Sequence, residues 1–212
     1  MLKGGIKKKW MNDPFGRNIW GTPPKGCADY AFQQQIMKSL NPETGRCVVL
    51  WPHGVLFRDS ESEIRKKMIE NDYVDAVIGL GKNLFYNSPM ESCLLVCRMK
   101  KPKERKGKII FIDAKDELRI ERTNAWLEQK HIKKISDAYW KYKDTEGFAK
   151  VMNIKDVFEN NGNLSLQLYV RQKSDKIEHN TEDLINNIKT NQRSINDSLK
   201  TLYAQLEIIG IK

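Results

Sequence analysis

The sequence predicts an α/β chain: half of a doubly wound, Rossmann-like sheet, then a mainly helical carboxyl-terminal region ending in one long helix. Three observations predict it. The apolar run Cys47-Val48-Val49-Leu50 stops at Trp51-Pro52-His53-Gly54, a helical segment follows, and a second apolar run at 74–80 ends in a loop, which together make a βαβ unit. KIIFID at 108–113 reads as a further strand. Far downstream, apolar residues recur at steps of three and four along a single segment, as they do on a helix.

Taken in order, residues up to about 25 read as an irregular loop, because Gly4-Gly5, Asp13-Pro14, Gly21 and Pro23-Pro24 punctuate them. Asp29 is placed as the N-cap of a helix from Tyr30 to Leu40 with Ala31, Ile36, Met37 and Leu40 near one face. Asn41-Pro42-Glu43-Thr44-Gly45 turns the chain into the strand at 46–51, and Ser60 or Ser62 starts a helix through Met68 and Ile69. Strands at 74–80 and 92–98 are joined by a loop too short for a helical crossover, so they are expected to be antiparallel at one edge of the sheet.

From Ala114 to Lys150 the composition is charged and helical, with Trp126, Ile132, Ile135, Ala138 and Tyr139 as a buried face. Residues 148–171 read as short strand-like pieces around the turn Asn160-Asn161-Gly162-Asn163. The last segment carries Leu184, Ile188, Asn191, Ile195, Leu199, Leu202, Leu206 and Ile209 as one seam. A polar residue such as Asn191 within a seam fixes register and partner number at some cost in stability. The seam serves either to pack the helix on its own domain or to contact another chain, and its length favours the second. The domains implied are 1–113, an extension of the same domain at 114–174, and the helical 175–212.

A formal net charge of +10 over 212 residues favours a polyanionic partner. The charge is concentrated in Lys7-Lys8-Lys9 and in the run from Lys100 to Lys108, although lysine runs in turns are commonly just solvated. Neither run alternates with aromatics, so neither is a base-stacking surface. Cys27, Cys47, Cys93 and Cys97 lie in or beside apolar segments with no zinc spacing and are expected to be reduced core thiols. His53, His131 and His179 are far apart, so no local metal site is expected. Without a bilayer-length apolar run or the apolar core of a signal peptide, a cytoplasmic, non-membrane protein is expected.

Three segments carry a more specific signal: DPFGRNIWGTPPKGCADYAFQQQIMKSL from Asp13, RCVVLWPHGVLFR at 46–58 and VDAVIGLGKNLFYN at 74–87. Together they resemble the catalytic domain of type I restriction-modification DNA methyltransferase (modification) subunits. The stretch from Asn163 to Val170 is similar to a signature near the end of that domain, so the resemblance runs from about Trp10 onward.

The resemblance implies a methyltransferase sheet lacking its first strands, and a family activity of methyl transfer from S-adenosylmethionine to adenine N6 in DNA. Family members hold that cofactor with a glycine loop after the first strand and an acidic residue after the second, and place an Asn/Asp-Pro-Pro-Phe/Tyr motif after the fourth. None of these is located here. Asn12-Asp13-Pro14-Phe15 only looks like the catalytic tetrapeptide, because similar proteins carry this segment downstream of the true motif. No catalytic residue is therefore assigned, and the chain is expected to need a complementing amino-terminal methyltransferase part.

The loop Asn83-Leu84-Phe85-Tyr86 corresponds to the one that supplies an aromatic to stack on the extrahelical base, which makes Phe85 or Tyr86 the stacker with Asn83 beside them. By itself, a Phe-Tyr pair is more often core. Arg17, Lys25, His53 and Arg58 are candidates for DNA contact, with solvated charge as the alternative for the cations and a satisfied turn for His53. Ser88-Pro89-Met90-Glu91 departs from the family, putting the Glu91 carboxylate near the expected DNA path. The terminal seam, Leu184, Ile188, Asn191, Ile195, Leu199 and Leu202, falls where the family binds its specificity subunit, and the restriction subunit is a further partner implied. The alternatives to a split enzyme are a non-catalytic, DNA-associated assembly module and a truncated remnant.

Overall fold

The computed structural model describes residues 10–85, 88–122, 124–170 and 181–208. The chain divides into two units, Met1–Gln172 and Lys173–Lys212. In the first, helix α1 (Asp29–Ser39) leads into strand β1 (Arg46–Pro52), followed by α2 (Ser62–Glu70), β2 (Val74–Leu80), β3 (Ser92–Arg98) and β4 (Lys108–Ala114). A small hairpin, β5 (Arg119–Glu121) and β6 (Asn124–Trp126), precedes α3 (Gln129–Lys141), β7 (Ala149–Asn153), α4 (Ile154–Glu159) and the single turn α5 (Leu166–Tyr169).

The five-stranded sheet has the order β1-β3-β2-β4-β7. β3 runs antiparallel to both β1 and β2, which are therefore parallel to each other, and β2 is parallel to β4. The expected βαβ unit is present with β3 inserted between its strands. The β2–β3 pair is antiparallel as expected but lies inside the sheet; the edges are β1 and β7.

Side chains alternate across a strand, so each central strand feeds two cores. On β4, Ile109 and Phe111 join Met37, Met68, Ile69, Leu95 and Leu164 beneath α1 and α2. Ile110 and Ile112 join Ala76, Ile78, Ile135 and Ala138 beneath α3. Every residue of β2 is buried because both of its faces are covered, the condition for a continuous apolar run. Each large side chain so buried contributes about 1.5–3 kcal/mol.

Three expected elements differ. Asp29 is the first residue of α1 rather than its cap; Ala28 holds the cap position without a side-chain bond, and the Asp29 carboxylate pairs with Arg58 instead. The stretch 114–150 is helical only over α3, whose start is secured by the Glu128 amide donating to His131 Nδ1 at 3.1 Å. Ile135 and Ala138 face the core, whereas Trp126 lies on β6 and Ile132 stays exposed. Residues 148–170 hold one strand and two short helices rather than several strands; Asn161 and Gly162 form the turn, both at positive φ.

The second unit contributes α6 (Thr181–Ile208), 28 residues or about 42 Å at 1.5 Å per residue. Along it Ile188, Asn191, Ile195, Leu199 and Leu202 are exposed. Leu184 also lies on this helix, and Ile209 is outside the described residues. No described helix is long and apolar enough to cross a membrane. No group of His, Cys, Asp and Glu suited to a metal occurs among the described residues.

Candidate functional site

Because β1 and β2 are parallel, their carboxyl ends open on the same side, the side where open α/β sheets place ligands. Pro52 and Leu80 are both in register with Ser92, so the turn after β1, the loop after β2 and the start of β3 meet there. His53 opens a one-turn 3-10 helix (His53–Leu56), and its Nε2 lies 3.0 Å from the Ser92 carbonyl. Its Nδ1 is 4.0 Å from Glu91, and the second Glu91 oxygen is 3.9 Å from Lys82 Nζ. The Lys82 ammonium beside the Glu91 carboxylate thus offsets part of the repulsion it would exert on a phosphate.

The aromatic loop leaves the end of β2. Asn83 takes a left-handed conformation, φ 59°, a region asparagine tolerates, and its carbonyl accepts the Ala125 amide at 3.2 Å. The loop is thereby tied to the β5–β6 hairpin. Phe85 closes a tight turn by bridging to Ser88, and its ring is half-buried against the core beneath α3 together with Leu84. Tyr86 lies outside the described residues.

The cations singled out in the sequence occupy different settings. Arg58 donates to Asp29 at 2.8 Å and to the buried Glu61 at 3.3 Å, and these carboxylates hold its charge firmly, with the Asp29 bond as the main cause. Burial raises the Glu61 carboxyl above its usual range despite Arg58. Arg17 is enclosed by Asp13, Gln35 and the rings of Trp10 and Phe15. Its hydrogen bond holds the Asp13 carboxyl below the usual range, so Asp13-Pro14-Phe15 is a salt-bridged loop. Lys25 is exposed.

Two residues of the lysine-rich run are taken into the fold, while Lys100, Lys103, Lys106 and Lys108 stay exposed. Within it, Lys101 is buried, donating at 2.6 Å both to Asp72 and to the Lys108 carbonyl. Arg105 is buried as well and bonds Asp75 at 3.1 Å. Asp75 also accepts from Arg98 at 3.0 Å and from the Tyr139 hydroxyl at 2.6 Å, so one carboxylate joins β2, β3, α3 and the run itself. Lys7-Lys8-Lys9 lies outside the described residues. The sequence reading overlooked this node, although Asp75 is the one charged residue in the otherwise apolar VDAVIGL and so carried a signal.

The described residues do not build a complete site for S-adenosylmethionine. Gly54 is the glycine in the turn after β1, and the Arg58 side chain lies against it. A Cβ on Gly54 would lie 2.6 Å from Arg58 Nε. A groove of about 630 Å³ between the sheet and α3 is lined by apolar side chains with Arg46 and Arg98, and has no carboxylate to hold a ribose.

Residues 6–178 match the family model described as N-6 DNA Methylase. The chain is 37% identical over 157 residues to the type I restriction enzyme MjaVIII methylase subunit of Methanocaldococcus jannaschii, covering 72% of this chain and 26% of that protein. It is 29% identical to the type I restriction enzyme MpnII methylase subunit of Mycoplasma pneumoniae, covering 98% of this chain and 39% of that protein. Among solved structures, the type I restriction-modification system methyltransferase subunit from Streptococcus thermophilus superposes with a TM-score of 0.70 at 32% identity, over 79% of this chain and 35% of that one. The chain thus spans between about a quarter and two fifths of the length of these relatives.

Proposed function

Because this chain belongs to the N-6 DNA methylase family, we propose that it forms the base-facing part of a type I modification subunit, one that methylates adenine N6 in DNA with S-adenosylmethionine. The observation that carries this reading is the convergence of His53, Lys82, Asn83 and the aromatic loop at the carboxyl ends of two parallel strands. An extrahelical base needs a π face to lie on and polar groups at its rim. Phe85 or Tyr86 supplies the first, with Asn83 beside them, while His53 and Lys82 stand near the DNA path. Arg17, Lys25 and Arg58 are the phosphate contacts of this reading. For Arg17 and Arg58, contact uses donors left over from their carboxylate pairs.

The cofactor is held by the amino-terminal methyltransferase part that carries the family's glycine loop and Asn-Pro-Pro-Phe motif, since the described residues do not build that cradle. This chain's part is to orient the base. In the complemented enzyme, Phe85→Ala and Tyr86→Ala are tested separately: replacing the stacker lowers kcat/KM for DNA about 10–100-fold and leaves cofactor affinity unchanged, because stacking contributes roughly 1–3 kcal/mol. Unchanged kcat/KM in both variants contradicts the base-facing role.

The exposed seam of α6 favours a second role, assembly with the specificity subunit and through it the restriction subunit. Ile188→Asp combined with Ile195→Asp abolishes capture by a specificity subunit on this reading. Equal capture removes the seam as the contact.

A further inference from the structure

Strand β4 is parallel to β2, so its carboxyl end opens on the side of the aromatic loop, and the β5–β6 hairpin follows it after the turn at 115–118. The hairpin is a sheet of its own, apart from the five-stranded one. Two contacts nonetheless fix it to the aromatic loop. The Ala125 amide donates to the Asn83 carbonyl at 3.2 Å, and the 115–118 turn lies directly against Gly81. A duplex whose extruded base reaches that loop must pass close to the hairpin.

Arg122 stands at the hairpin's tip. It is exposed, and among the described residues it makes no ion pair. Three glutamates flanking it in sequence are already matched: Glu117 by Lys134, Glu121 by Arg119, and Glu128 by Arg119 at 3.0 Å and Lys130 at 2.8 Å. The Arg122 charge therefore stays uncompensated. Its backbone lies in the left-handed region, φ 56°, which hairpin loops ordinarily give to asparagine or glycine because other side chains are disfavoured there. An arginine at that position keeps a charge at the tip at a conformational cost. Arg119 serves the scaffold instead, standing 5.6 Å from the centroid of the Trp126 ring and joining β5 to the start of α3 through Glu128. A two-stranded ribbon is narrow enough to approach a duplex along its major groove.

We infer that the β5–β6 hairpin is a DNA finger, in which Arg122 contacts a backbone phosphate of the duplex beside the extruded base. The inference deepens the proposed base-facing role and rests on it. Phosphate contacts fix register and orientation on the duplex without reading its sequence.

The test uses the modification enzyme assembled from this chain, the amino-terminal methyltransferase part and a specificity subunit, with DNA affinity read by fluorescence anisotropy across a salt series. Arg122→Asn suits the left-handed turn and removes the charge, so the Tm is expected to be kept. Binding should weaken several-fold on DNA with and without the recognition sequence, the slope of log affinity against log salt should fall by about 1, and KM for DNA should rise with kcat unchanged. Arg122→Lys, which retains the charge, should keep the salt slope. Lys106→Asn, exposed in the loop at the opposite end of β4, should alter none of these. Equal affinity and equal salt slope in Arg122→Asn overturn the inference. So does weaker capture of the specificity subunit with an unchanged salt slope, which would make the hairpin a protein contact. If Arg122→Asn behaves as expected while Phe85→Ala and Tyr86→Ala leave kcat/KM unchanged, the phosphate contact stands and the base-stacking reading fails; the reverse pattern removes the finger alone.

Discussion

Arg105 and Asp75 form a buried ion pair, guanidinium Nη1 to carboxylate Oδ2 at 3.1 Å, in a chain whose sequence offers Arg105 as part of a solvated basic run. The same guanidinium stands over the rings of Tyr139 at 4.8 Å and Tyr142 at 4.4 Å, and donates to the Tyr139 carbonyl at 3.1 Å. The loop after β3 is thereby fastened to α3 and so to the groove's far wall.

Replacing Asp75 with Asn keeps the shape but removes the charge that two guanidiniums share. Breaking one side of a buried pair costs about 3–5 kcal/mol. Thermal unfolding should show a Tm lower by roughly 6 °C or more, at the 2–4 °C per kcal/mol usual for a chain of this size. An unchanged Tm would mean that the network is not structural.

Glu61 gives stability a specific pH dependence. Burial raises its carboxyl in the folded state, so the folded chain binds that proton more tightly than the unfolded one. Its favourable contribution is complete below the ordinary carboxylate value and is lost as pH rises through the raised folded value. Glu61→Gln removes this dependence. Between about pH 4 and about pH 7 the difference in Tm should move in favour of the variant, taking the ordinary value as about 4.3; a difference that moves toward the wild type contradicts the direction of the shift.

The thiols should label unequally. Cys47 and Cys97 face each other across β1 and β3, and the hydrogen bond from Cys97 holds the Cys47 thiol below its usual value. Burial pushes Cys93 up to about 12, and Cys97 is raised by its bond to Cys47 and by burial. Iodoacetamide at neutral pH, followed by peptide mass spectrometry, should modify Cys47 well before Cys93 or Cys97. First modification of Cys93 would contradict the packing of β3.

Gly81 is held where the aromatic loop begins. A Cβ there would lie 2.2 Å from the Lys115 carbonyl oxygen and 2.1 Å from Leu118 Cδ2. Gly81→Ala must displace backbone, at a cost of about 1–3 kcal/mol for overpacking. The expected outcome is a lower Tm together with reduced DNA affinity in the complemented enzyme; a neutral variant would show that the 115–118 loop yields freely.

How far the sequence discloses this molecule depends on burial. The strands beneath both cores are legible because Val74–Leu80 and Lys108–Ala114 are apolar on both faces. β5 and β6 are not, since the charged Glu117-Leu118-Arg119-Ile120-Glu121-Arg122 has helix propensity, and what bends it is tertiary: Arg122 at φ 56° and the Ala125 bond to Asn83. Likewise Ile154–Glu159 looks strand-like through its β-branched residues, yet Val157 turns inward on a helix. At the site, the family segments disclose the loops. They do not disclose that Asp29 pairs with Arg58 rather than capping α1, because that bond joins residues 29 positions apart.

The most direct test of the central claim measures N6-methyladenine by mass spectrometry in DNA given S-adenosylmethionine and a specificity subunit. Three samples are compared: this chain, the complementing methyltransferase part, and both. The account predicts methyladenine only in the mixture. Methylation by this chain without the complement, or none in a mixture whose complex has formed, would contradict it.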